Sequence, residues 1–149
     1  MLGLHKLKDL RIARASREKV FQDILNQKIT YGFLSKSQYF PDIEQRFFPF
    51  FNLENLLDFN QLIFRYNARS NQFSLIEADY LLSTPYDKTD IYIFIVSANQ
   101  DGRYFCRSFF PKESKDYTTG QPKYTMLYKE KQYLSTGQIS IQYNRLPSN

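Results

Sequence analysis

The chain has 149 residues, a net charge of +5, one cysteine, one histidine and no tryptophan. That inventory excludes an internal disulfide, a multi-cysteine zinc site and a two-histidine acid–base pair within one chain. The 14 Phe and 12 Tyr predict a core of rings and β-branched residues, which favours sheet, while the basic balance admits RNA, DNA or an acidic partner without choosing among them.

In chain order, Lys6, Lys8, Arg11, Arg14, Arg17 and Lys19 are interleaved with Leu2, Leu4, Leu7 and Leu10, a basic, half-apolar opening segment. Its charges are too frequent for a signal peptide, and no apolar run approaches the ~20 residues of a membrane span, so the reading is a cytoplasmic protein without a membrane. Ser16 is placed to cap a helix over 17–27, with Val20, Phe21, Ile24 and Leu25 on one side. Residues 28–33 read as a short extended piece. Pro41 suits the first turn of a second helix with Phe40, Ile43 and Phe47 as its apolar stripe, and Pro49 is expected to end it. Asn52 starts a short third helix through Leu57.

Strand patterns then take over, at 61–67, 75–82, 91–98, 103–110, 123–131 and 138–143. Residues 68–71 and Thr136-Gly137 read as turns, and 83–88, with Pro85, as a loop. Asn99-Gln100-Asp101-Gly102 is a hairpin turn. In the strand after it, alternation puts Tyr104, Cys106 and Ser108 on one face and Arg103, Phe105, Arg107 and Phe109 on the other. Helices first and strands after predict a single α+β domain over 1–149, its N-terminal helices packed on a C-terminal antiparallel β-sheet.

Much of the chemistry is read from absences. No P-loop, G-x-G-x-x-G or G-x-S-x-G pattern is present. Glu77 and Asp79 share a face of the 75–82 strand, but two carboxylates without a third ligand do not make a metal site, so neither a metal nor a cofactor is expected. Cys106, among apolar neighbours, reads as an inert buried thiol in a reducing compartment. Cation, tyrosine and hydroxyl chemistry remains: Arg65, Arg107, Ser108, Lys112, Lys115, Tyr117, Gln121, Lys129 and Lys131 lie on or beside the predicted sheet. Such groups suit RNA cleavage without a metal, because RNA supplies its own 2′-OH nucleophile and the protein need only move protons and stabilise phosphate charge. The same groups also suit an RNA-binding face without chemistry. In the loop Tyr117-Thr118-Thr119-Gly120-Gln121, Tyr117 can stack a base and Gln121 read its edge, or the two can serve as a lid and a loop anchor.

Several short stretches resemble a known family. These are Leu2-Gly3-Leu4-His5-Lys6-Leu7-Lys8-Asp9, Ser37 with Arg46 at S-x8-R spacing, and Cys106-Arg107-Ser108-Phe109-Phe110-Pro111. Ile91–Phe94, Asp116-Tyr117-Thr118-Thr119-Gly120-Gln121 and the stretch 124–131 complete the match. The chain resembles the phage-borne barnase/EndoU/colicin/RelE-like nuclease domains, in particular their fourth subtype. The resemblance implies a small antiparallel sheet against helices and metal-independent RNA cleavage. It also implies a histidine and further strand-forming residues ahead of the leucines, where this chain has Met1, and hence an exposed sheet edge.

The reading is therefore an RNA endonuclease-like protein of phage or mobile-element origin that cleaves by 2′-OH transesterification. Arg107 and Lys129 stabilise phosphate charge, Ser108 bonds a phosphate oxygen, Tyr117 stacks or exchanges a proton, and Gln121 orients the nucleotide. Lys6 and Arg46 complete a basic cleft, and Arg65 and Lys131 add RNA contacts. The alternative is a non-catalytic, degenerate nuclease fold that occupies RNA or blocks a host protein complex. RNA is the expected partner, with a host protein or antitoxin as the other candidate.

Overall fold

The computed structural model describes residues 2–71, 74–98 and 102–147, and its architecture is α+β with the helices ahead of the sheet. Two short 3-10 turns, Leu4–Lys6 and Arg11–Arg14, precede α1 (Arg17–Leu25), whose first turn is capped by Ser16 Oγ accepting from the Lys19 N–H at 3.2 Å. Gln27, at φ 56°, turns the chain out of the helix. The segment expected to be extended at 28–33 instead forms α2 (Tyr31–Leu34). Thr30 Oγ1 accepts from the Phe33 N–H, and the Tyr31 ring meets Phe40 and Phe47 edge-on at 5.1 and 5.7 Å. A cap and a ring contact outweigh a short β-like pattern.

Pro41 opens α3 (Pro41–Glu44) as expected, but Pro49 does not end a helix. It lies in the first turn of α4 (Phe47–Phe51), where a missing N–H costs no intrahelical bond. The break falls earlier, at Gln45-Arg46. Helix α5 (Leu53–Phe59) follows.

The sheet has the order β4-β3-β2-β1-β5, every pair antiparallel: β1 (Leu62–Arg65), β2 (Tyr80–Tyr86), β3 (Thr89–Ser97), β4 (Tyr104–Pro111) and β5 (Lys123–Tyr124). A separate two-stranded sheet pairs β6 (Tyr128–Gln132) with β7 (Ile139–Asn144). Two expected strands are therefore redrawn. The 75–82 strand starts later, because Ile76 and Ala78 turn in against one face of the sheet and Ser74 Oγ meets the Tyr66 hydroxyl at 2.8 Å. It also runs on through Pro85. Leu62↔Ser83 is the last pair with β1, so Pro85 owes no N–H to that side. A two-residue turn with Asp87 at φ 53° replaces the expected loop. The 123–131 strand is split between the two sheets. The turn expected at Asn99-Gln100-Asp101 lies outside the described residues, and Gly102 beside it has φ 76°.

Each face of the five-stranded sheet has its own cluster. One face packs Leu82, Ile91, Ile93 and Phe109 against Leu56 of α5 and Phe50 of α4. The other carries Phe64, Tyr66, Leu81, Tyr92 and Phe94, with Phe110 and Tyr117 laid over them. A bulge corrects the alternation read from the sequence. Phe94 pairs with Ser108 and Ile95 with Cys106, so Arg107 is the extra residue, and Cys106 and Ser108 face opposite ways. A third cluster, Leu7, Ile12, Leu34, Phe40, Ile43 and Phe47, holds the N-terminal segment on the helices.

Candidate functional site

The N-terminal segment is fastened by one carboxylate. Asp9 accepts Ser37 Oγ–H at 2.5 Å and the Gln38 N–H at 3.0 Å. This fastening brings Gly3 against α3 and the Arg46 side chain. Gly3 has φ 81°, and a Cβ there would stand 3.2 Å from Ile43 Cγ2 and 3.3 Å from Arg46 Nη1, so the close approach and the backbone conformation both require glycine. Arg46 lies over the Phe110 ring, 5.4 Å from its centroid, and its buried Nε–H has no hydrogen-bond partner among the described residues. Burial lowers the Arg46 pKa while Glu113 opposes the shift, and the guanidinium stays charged.

The facing wall is the loop after β4. Lys112 Nζ donates to Asp116 Oδ2 at 2.6 Å, a clasp that closes around Glu113, Ser114 and Lys115. Asp116 Oδ1 accepts from the Tyr92 hydroxyl at 3.0 Å and from the Thr118 N–H and Oγ1–H at 2.8 and 2.7 Å. These donors, Lys112 foremost, hold the Asp116 carboxyl well below the usual carboxylate range. A carboxylate depressed in the folded state stabilises the fold above its unfolded pKa of about 4 and loses that contribution as pH falls toward the folded value. Wild type is therefore expected to melt above Asp116→Asn at pH 7, with the gap closing below about pH 4. Thermal melts of the two proteins across pH 2–7 check this, and a gap that does not change with pH contradicts it.

The loop's far end is fixed by Gln121, which is buried. Its Oε1 accepts the Asn67 N–H at 2.7 Å and its Nε2 donates to the Asn67 carbonyl at 3.0 Å, as a strand neighbour would. Asn71 Nδ2 donates to the Tyr117 carbonyl at 3.2 Å. Between these ties Tyr117 packs on Tyr92, Phe94 and Phe110 at 5.7, 5.4 and 5.6 Å, with Lys115 Nζ 5.0 Å from its ring centroid. Burial raises the Tyr117 pKa, so at neutral pH its hydroxyl is a proton donor and not a base.

Lys6, Arg46, Glu113, Ser114, Lys115 and Tyr117, with Ile76 and Phe110 beneath them, enclose a cleft of about 210 Å³. Four of the residues singled out in the sequence, Lys6, Arg46, Lys115 and Tyr117, thus come together. Glu113 was not anticipated. An isolated Glu in a lysine-rich loop carries no local signal, and it enters the cleft only because Asp116 folds that loop and Gln45 Nε2 bonds its Oε1 at 2.8 Å.

The other expected residues are elsewhere. Arg107, at the bulge, stands 3.9 Å from Glu77. Ser108, half-buried, is on the Phe110 face opposite Phe94. The carboxylates expected to share a strand face are both engaged before β2 begins, Glu77 with Arg107 and Asp79 with the Ser97 N–H at 2.8 Å and with Arg65 at 4.0 Å. Cys106 is half-buried, and burial pushes its thiol up to about 11, which keeps it protonated and inert.

Lys129 is not brought to Arg107 or Tyr117. Its ammonium donates to the carbonyls of Leu57, Asp58 and Asn60, satisfying the C-terminal end of α5, and burial lowers its pKa. Lys131 is gripped by Asp58 at 2.7 Å and by Glu54, one turn apart on the same helix. A larger cavity of about 380 Å³ lies there, lined by Lys129, Asp58, Asn60 and residues of β7. Its lysine is spent on backbone carbonyls, so chemistry and not size selects the smaller, basic cleft.

A family model described as phage-Barnase-EndoU-ColicinE5/D-RelE like nuclease4 matches residues 1–146. No curated protein and no solved structure matches the chain. No helix among the described residues is long and apolar enough to cross a membrane. With essentially the whole chain covered, the protein belongs to that family of nuclease-like proteins.

Proposed function

We propose that the protein is an RNA endonuclease, borne by a phage or mobile element, that cleaves by 2′-OH transesterification in the cleft between the N-terminal segment and the loop after β4. One observation carries the reading. Arg46 brings a half-buried guanidinium, whose buried Nε–H has no hydrogen-bond partner among the described residues, to a cleft that also holds Lys6, Lys115 and Glu113. A phosphodiester suits the positive charge and the donors of that cleft.

In the proposed reaction, the Glu113 carboxylate takes the proton of the 2′-OH, whose oxygen attacks the adjacent phosphorus. Arg46, Lys6 and Lys115 stabilise the charge that develops on the phosphorane oxygens. The P–O5′ bond breaks, and the departing 5′-oxygen receives the Tyr117 hydroxyl proton. The products are a 2′,3′-cyclic phosphate and a 5′-hydroxyl, and Glu113 returns its proton to Tyr117 through solvent. The Lys112–Asp116 clasp and the Gln121–Asn67 tie act by positioning Glu113 and Tyr117. Arg107 and Ser108, on β4 outside the cleft, serve as further RNA contacts.

The test is the rate of fragment formation from end-labelled single-stranded RNA in the presence of a chelator. Glu113→Gln, which keeps the Gln45 contact possible, is expected to cut at least ~100-fold more slowly than wild type, in line with the contribution of a general base, while binding RNA as well or better. An unchanged rate removes Glu113 from the role of base. RNA binding without fragments in the wild type replaces the nuclease reading with that of a binding module.

A further inference from the structure

The helices cover only part of the sheet face they pack against. Leu56 and Phe50 lie over Leu82, Ile93 and Phe109. Strand alternation puts Tyr80, two residues before Leu82, on that same face, with Arg65 opposite it and Tyr124 opposite Ile63. Tyr104, two residues before Cys106, joins them from β4.

These side chains form a row across the strands. The Tyr80 ring meets Tyr104 at 5.5 Å and Tyr124 at 6.0 Å, both edge-on, and the Arg65 guanidinium lies 5.1 Å from the Tyr80 centroid. Ser97, paired with Tyr104 on the intervening β3, is short enough to let the first two rings touch. Tyr104 is 45% exposed and Tyr124 48%. Asp79 beside this row is already occupied by the Ser97 N–H and by Arg65.

Rings held rigid by strands, the outer two exposed and with the Arg65 guanidinium alongside, match the needs of an unpaired nucleotide chain. The bases find π-faces, and the phosphates find positive charge. We propose that Tyr104, Tyr80 and Tyr124, with Arg65, form a stacking platform for single-stranded RNA, separate from the cleft and on the opposite face of the sheet. The choice of RNA rests on the nuclease reading, and the platform gives that reading a substrate class: unpaired strands, gripped beyond the scissile phosphate. Tyr104 and Phe110 lie six residues apart on the edge strand, about 20 Å at the strand rise, so a strand held on the platform reaches the cleft around the β4 edge, past Arg107.

The test uses a single-stranded oligomer of about ten nucleotides with 2′-O-methyl groups, which cannot be cut, and an abasic oligomer of the same length. Combined Tyr104→Ala and Tyr124→Ala is expected to weaken binding of the base-bearing oligomer by about tenfold or more and to leave abasic binding unchanged. The paired Tyr→Phe variant, which retains the rings, is expected to bind like wild type, and thermal melting verifies that all three proteins are folded. Equal binding of the base-bearing oligomer by wild type and the alanine variant overturns the platform, as does tighter binding of the same sequence as a duplex. The probe resists cleavage, so the two readings fail separately. Ring-dependent binding by a protein that never cuts RNA retains the platform and removes the nuclease. Cleavage with ring-independent binding does the reverse.

Discussion

Arg46→Gln is expected to lower RNA cleavage by about 10²- to 10³-fold, the usual cost of removing one preorganised donor from a developing oxyanion, or roughly 3–4 kcal/mol of transition-state stabilisation. The substitution keeps the first part of the side-chain stem but removes the charged guanidinium that lies over the Phe110 ring, with its Nε–H that has no partner among the described residues. Arg46→Lys is expected to recover little. An ammonium keeps the charge yet cannot lie flat on the Phe110 ring and offers no planar fork to a phosphate. Single-turnover rates with both variants check this, alongside melting temperatures near that of wild type. Cleavage by Arg46→Lys at the wild-type rate contradicts the geometry, because any cation would then suffice.

The second large effect is on the fold. Phe94→Ala is expected to destabilise the protein by about 3–5 kcal/mol, a third or more of the stability of a typical domain, and to lower the melting temperature by roughly 10 °C or more. Phe94 is fully buried and touches rings on every side: Tyr66 edge-on at 4.9 Å, Phe110 stacked at 5.5 Å and Tyr117 edge-on at 5.4 Å. Two of those rings, Phe110 and Tyr117, also line the cleft. The variant should therefore lose cleavage at temperatures where it is still folded, because the cavity left by the ring lets Tyr117 drop from its place. A shift of under about 1 kcal/mol by denaturant titration contradicts this account of the core.

Local chemistry was legible where it decided the structure locally. The Ser16 cap, Pro41 at the head of a helix and the run into β3 all read correctly, because a cap, a fixed φ and a β-branched run each act within a few residues. The errors fell where distant residues overruled local pattern. Residues 28–33 fold into a helical turn because the Tyr31 ring finds Phe40 and Phe47. Pro85 enters a strand because β1 stops short of it. Arg107 bulges out and reverses the faces expected of its neighbours, which no alternation rule reveals from one strand alone.

The site divides in the same way. Lys6, Arg46 and Tyr117 are distant in sequence, and the family resemblance, not spacing, joined them. Lys129 and Lys131 had the residue type for phosphate but not the position, since the carbonyls at the end of α5 and the carboxylates of Glu54 and Asp58 accept their N–H groups. Gln121 read either as a base reader or as a loop anchor, and its two bonds to the Asn67 backbone make it the anchor. Glu113 was missed because one carboxylate in a loop carries no pattern until the loop is folded.

The most direct measurement is the chemistry of the ends left on RNA after incubation with the purified protein in excess chelator. Cleavage by the neighbouring 2′-oxygen must leave a 2′,3′-cyclic phosphate on one fragment and a 5′-hydroxyl on the other, and both are expected, with neither formed when the nucleotide before the cut carries a 2′-O-methyl group. Fragments ending in a 3′-hydroxyl and a 5′-phosphate, or cutting that persists at a 2′-O-methyl position, would mean that water and not the RNA is the nucleophile, and would contradict the assignment of the cleft.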